Sequence, residues 1–109
     1  MAMKYRPRYW ILVHDKPIAS NALEWAKWFA AHAPERFIAR TKIGTSEVST
    51  VFLGLDHNFA ADGPPILYET MVFGGALDQE QQRYHTGAEA RTGHARMVAR
   101  VQTAELSSS

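Results

Sequence analysis

The chain has 109 residues, 46% hydrophobic and 11% aromatic, which suits one compact domain with a modest core and argues against disorder. Its formal net charge of +1 is too small to draw a nucleic acid or a membrane surface by bulk electrostatics. With no cysteine it has no disulfide framework, no thiolate metal site and no cysteine nucleophile.

Taken in order, residues 1–8 are basic and residues 106–109 end in a serine run. Both ends read as frayed, leaving a core of about residues 8–104 in a single domain spanning 1–109. Residues 8–14, RYWILVH, form an apolar run of strand formers, and Asp15, Lys16 and Pro17 break it. Residues 21–33 read as a helix, with Asn21 as its cap and Glu24 three positions on. Its apolar stripe is Ala22, Trp25, Ala26, Phe29 and Ala30, with Trp28 off the stripe and Pro34 as the stop.

Residues 36–43 alternate imperfectly, as in a half-solvated edge strand with Phe37, Ala39, Thr41 and Ile43 on one side. Gly44, Thr45 and Ser46 then make a hairpin turn into the central strand, residues 47–56. A polar loop leads to a further strand over residues 66–73. There Tyr68, Thr70 and Val72 face one way, and Glu69, Met71 and Phe73 the other. Residues 76–85 read as a polar connector holding at most a helical turn. Residues 86–103 are the clearest helix: Thr86 and Glu89 form a capping box, and Ala90, His94, Met97, Val98 and Val101 make one stripe.

The order is β-α-β-β-β-α, which predicts an α+β fold: a small antiparallel sheet with two helices packed on one face. Such a sheet leaves its other face open, and self-association through that face is the expected consequence.

Five residues are candidate ligand-binding groups: Asp56, His57, Asn58, Glu69 and His94. A carboxylate beside an imidazole can orient it and raise its basicity, which makes Asp56 and His57 a candidate pair. The structural alternative is that Asp56 and Asn58 bind nearby amides as Asx turns. Glu69 lies mid-strand and needs a partner or water. His94 interrupts an apolar helix face behind Gly93, aimed at the sheet near Glu69 or Tyr68, or is a core histidine with satisfied nitrogens. His57, Glu69, His85 and His94 have the chemistry for a divalent metal such as zinc, without the spacing of any zinc motif.

No GxGxxG, P-loop or GxSxG is present, so no catalytic residue is assigned. The element order is similar to that of double-stranded-RNA-binding domains, but the last helix begins Thr86-Gly87-Ala88-Glu89 without their lysines. Nucleic-acid binding through Lys4, Arg6, Arg8 and the arginines of the last helix is therefore disfavoured.

The runs VSTVFLGLDHNF (residues 48–59), GPPILYETMVFGG (63–75), RYHT (83–86) and GHARMVARV (93–101) resemble a family of small uncharacterised bacteriophage and prophage proteins. The resemblance is close over the second half of the chain and extends to the first half in layout alone. It implies a small phage accessory protein and supplies no catalytic residues. Nothing in the sequence reads as a signal peptide or a membrane span, so the expected place is the bacterial host cytoplasm. The expected role is a non-enzymatic binding module for a host or phage protein, homo-oligomeric, with no cofactor. The alternative is a nucleotide, small-molecule or metal site, hydrolytic in one version, around Asp56, His57, Glu69 and His94.

Overall fold

The computed structural model describes residues 6–60 and 62–108, so the basic stretch at residues 1–5, with Lys4, and the final serine lie outside the described residues. Strand β1 (Tyr9–Val13) turns back at once on β2 (Lys16–Ser20), pairing Leu12 with Pro17 and Val13 with Lys16. Asp15 and Pro17 were expected to end the strand; instead they belong to a hairpin. His14 and Asp15 supply the turn with φ of 51° and 63°, the left-handed pair that a tight antiparallel hairpin requires. Pro17 is tolerated because a strand of a two-stranded ribbon has one free edge, where its missing N–H costs nothing.

Helix α1 (Ala22–His32) starts where Asn21 Oδ1 accepts the Glu24 N–H at 3.0 Å. Its covered face differs from the predicted stripe. Trp25, Trp28, Phe29 and His32 are half-buried, while Ala22, Ala26 and Ala30 are exposed. The large rings have more apolar area to bury than the alanines, so they set the helix rotation. Trp28 meets Phe52 edge-on at 5.9 Å, joining α1 to the core of the main sheet.

That sheet is antiparallel and four-stranded, in the order β3 (Phe37–Ile43), β4 (Ser46–Phe52), β5 (Tyr68–Phe73), β6 (Gln81–Tyr84). Residues 76–85, predicted as a connector, in fact contain the edge strand β6. A bulge between Phe37 and Ala39 sends Phe37 to the outer face beside Val51, while Ile38 packs against the core. β4 ends earlier than expected, but the chain beyond it still pairs. Trp10 N–H donates to Gly54 O at 2.8 Å, and Asp56 N–H to Arg8 O at 2.9 Å. These bonds tie the hairpin to the end of the sheet. Gly54, at φ 74°, cannot carry a side chain: a Cβ there would lie 2.4 Å from the Phe29 ring.

Helix α2 (Gly87–Ser108) crosses the inner face and runs through residues expected to fray, since it continues past Leu106. Its capping box is reciprocal: the Glu89 N–H donates to Thr86 Oγ1 at 3.1 Å, and the Thr86 N–H to Glu89 Oε1 at 3.0 Å. Ala90, Met97 and Val101 are buried against Val48, Phe52, Tyr68 and Val72, so both helices touch the same face, as the sequence predicted. Helix and sheet approach closely at Gly93, where a Cβ would lie 2.1 Å from the Tyr84 hydroxyl. Among the described residues no helix is long and apolar enough to cross a membrane.

Candidate functional site

Antiparallel pairing sets which side chains can meet. Thr50 opposes Thr70 and Val48 opposes Val72, so these line the inner face under α2. Glu69, one residue from Thr70, must point the other way.

His94 reaches down from α2 into the inner face and is 7% exposed. Its Nε2 lies 2.9 Å from Thr41 Oγ1 and its Nδ1 2.7 Å from Thr50 Oγ1. Thr50 Oγ1 is in turn 2.6 Å from Thr70 Oγ1, which accepts the Tyr84 hydroxyl at 3.1 Å. One proton order satisfies every member: Tyr84 donates to Thr70, Thr70 to Thr50, Thr50 to Nδ1, and the Nε2–H to Thr41. Burial depresses the His94 pKa below its usual value, and no carboxylate contacts the ring among the described residues. The neutral imidazole therefore joins four strands to the helix. The sequence marked His94 as sheet-facing; its partners are threonines and not Glu69 or Tyr68.

Asp56 is 5% exposed at the root of the long loop. Its Oδ1 accepts the N–H groups of Asn58 at 2.8 Å and Ile66 at 3.0 Å, and its Oδ2 accepts Arg6 Nε at 2.9 Å. Burial pushes its pKa up, but the two amides and the Arg6 guanidinium outweigh it and hold the carboxyl below its usual range. Asn58 bonds the carbonyls of Asp62 and Pro64 through Nδ2 and the Ala60 N–H through Oδ1. The His57 Nδ1–H donates to Leu55 O at 2.8 Å, and the His85 Nδ1–H to Pro65 O at 3.0 Å. Asp56 and His57 are thus neighbours that do not bond to one another: the carboxylate and the imidazole each serve the backbone of the loop.

Glu69 sits on the outer face and pairs with Arg83 at 2.9 Å. The five predicted residues therefore fall in three places. Asp56, His57 and Asn58 shape the loop, His94 holds the inner face, and Glu69 belongs to the outer one. A metal set of His57, Glu69, His85 and His94 is not assembled, and among the described residues no group of three or more histidines and carboxylates could hold an ion. The inner relay spends its donors and acceptors on one another, with His94, Thr50 and Thr70 buried, Thr41 half-buried and Tyr84 at the wall of a hollow between β6 and α2.

Among the described residues, two open surfaces stand out. The outer sheet face carries no helix among the described residues; Phe37, Val51, Met71 and Phe73 line a shallow hollow of about 430 Å3, with the Arg40–Glu47 pair and Glu69 of the Glu69–Arg83 pair among its lining. A second hollow, about 640 Å3, lies between β6 and α2 and includes Arg83, Arg96 and Arg100. Sequence reasoning placed Arg96 and Arg100 off the apolar stripe but had no strand beside them, since β6 was not foreseen. No protein-family model, curated protein or solved structure matches the chain. What the fold and its contacts define is a small α+β protein whose apolar core is crossed by a hydrogen-bonded polar relay, with open surfaces on the outer sheet face and between β6 and α2 among the described residues.

Proposed function

We propose that the protein is a non-enzymatic binding module, a phage or prophage accessory protein that self-associates and acts on a host or phage protein in the bacterial cytoplasm. The observation that carries this reading is the uncovered outer face of the sheet. Phe73 is 47% exposed and Phe37 36%, with Met71 and Val51 half-covered between them. An apolar centre ringed by polar groups is the anatomy of an interface. The occupant that fits best is a second copy of the chain. The ion pairs Arg40–Glu47 and Glu69–Arg83 are neutral within themselves, which among the described residues confines the unpaired charge of the face to Arg36, just before β3, and Lys42 on β3, away from Met71 on β5. Arg36 and Arg40 also stack their guanidinium groups on the Phe37 ring, at 5.3 and 4.7 Å, keeping that ring presented at the surface.

The alternative, a small-molecule or metal site at Asp56, His57, Glu69 and His94, lacks such support, because each of these side chains is satisfied separately. Light scattering after size exclusion tests the self-association. The wild type is expected as a dimer that Met71→Glu converts to monomer with an unchanged circular dichroism spectrum. A strict monomer at the highest soluble concentration would remove this reading.

A further inference from the structure

The hollow beside β6 has one wall of strand and one of helix. Gln82 and Tyr84 come from β6; Thr92, Arg96, Met97 and Arg100 come from α2. Among the described residues β6 is an edge strand with no strand neighbour on its far side, so alternate N–H and C=O groups are open there. Arg96 is exposed and meets no carboxylate among the described residues. Arg100 holds Glu80 at 3.3 Å in an exposed pair that a better-placed carboxylate can displace at small cost.

The spacing matters. Arg96 and Arg100 are one turn apart on α2, about 6 Å along its axis. Alternate side chains of a β-strand repeat at about 6.6 Å. We propose that the β6–α2 hollow binds an extended acidic segment of a partner protein, added as a further strand on β6, with two carboxylates in an acid-x-acid pattern on Arg96 and Arg100. Main-chain bonds to the β6 edge supply affinity and the arginines supply selection. Glu89 lines the same hollow, one helix end away, and repels acid there, so the acidic residues lie towards Arg100. The inference rests on the reading of the chain as a protein-binding module but uses a different surface, which meets the outer sheet face at Arg83.

Fluorescence anisotropy on the full chain tests it, with labelled VEVEVE as probe at low salt. Saturable binding is expected, weakened about tenfold by Arg96→Glu and by Arg100→Glu, and weakened by added salt. The same peptide N-methylated at every residue should not bind, because it cannot donate to the strand edge. Met71→Glu should leave peptide binding intact even as it abolishes self-association, which separates this inference from the dimer. Arg96→Ala, with a melting curve, guards against a folding artefact. Equal binding of VKVKVK, binding of the N-methylated peptide, absence of VEVEVE binding, or an unchanged affinity in both arginine variants would each overturn the proposal.

Discussion

Acidification probes the buried relay directly. His94 is held neutral inside the native protein, with its pKa below the usual 6.5, because burial penalises the imidazolium. Unfolding returns it to water and to that usual value. The unfolded chain therefore binds a proton that the native chain refuses, and acid favours unfolding. The sign follows: the contribution of His94 is whole above about pH 6.5 and drains as the pH falls towards its depressed native value. In that window one proton is at stake, so the slope approaches about 1.4 kcal/mol per pH unit. The Asp56 carboxyl acts lower down. Its native pKa lies below 3.8, so its contribution is present above that value and is lost only as the pH falls through the native one. The two losses begin at different pH, near 6.5 for His94 and near 3.8 for Asp56. Urea unfolding followed by tryptophan fluorescence, repeated from about pH 8 to about pH 5, measures the slope. His94→Gln keeps a donor and an acceptor but cannot titrate, so it should flatten the profile while lowering the plateau. A wild-type slope equal to that of His94→Gln between those limits would refute the account of a neutral, buried imidazole.

Three further outcomes follow from the contacts. Gly93→Ala puts a methyl into the Tyr84 ring and forces α2 off the sheet; after the gain in helix propensity it should still cost about 1–3 kcal/mol, read from thermal melts. Thr50→Val keeps the shape but strands His94 Nδ1 and the Thr70 hydroxyl, at about 2–4 kcal/mol in urea unfolding, and Thr50→Ser should recover most of it. Asp56→Ala leaves the Asn58 and Ile66 amides without their acceptor and should open the loop to limited proteolysis, at about 2–3 kcal/mol, whereas Asp56→Asn retains the Oδ1 acceptor and should cost about half as much.

The elements that sequence reading located were those with a strong period and a side-chain signature. Ala90, Met97 and Val101 marked the buried stripe of α2, and Thr86 with Glu89 marked its start. Tyr68, Thr70 and Val72 were assigned to one face of β5 and are buried there together. The misses have physical causes. The β1–β2 turn uses His14 and Asp15 at positive φ instead of glycine, so the usual hairpin signal was missing. β6 is exposed except at Tyr84, and an edge strand with one buried side chain has no alternation to detect. Because β6 was missed, the Arg83 partner of Glu69 and the strand wall beside Arg96 were missed with it. The separation of Glu69 from His94 is a matter of pairing register, since the two lie on opposite faces of one sheet.

The polar groups that looked most chemical in the sequence turn out to be consumed by the fold. A sheet face lined by Thr41, Thr50 and Thr70 cannot bury those hydroxyls without partners, and a leucine at position 94 would leave them bonding among themselves with one unmatched. His94 supplies a donor and an acceptor in one ring and so closes the chain from Thr41 to Tyr84. It also sets the register of α2, since a shift along the helix by one residue would move the ring off both threonines. The same accounting applied to Asp56 and Asn58 leaves their acceptors filled by the loop amides. The proposed binding reading therefore rests on groups at the surface. On that reading the outward ring of Phe73, the Phe37 ring presented under Arg36 and Arg40, the open edge of β6 and the arginine at position 96 are what another polypeptide would meet.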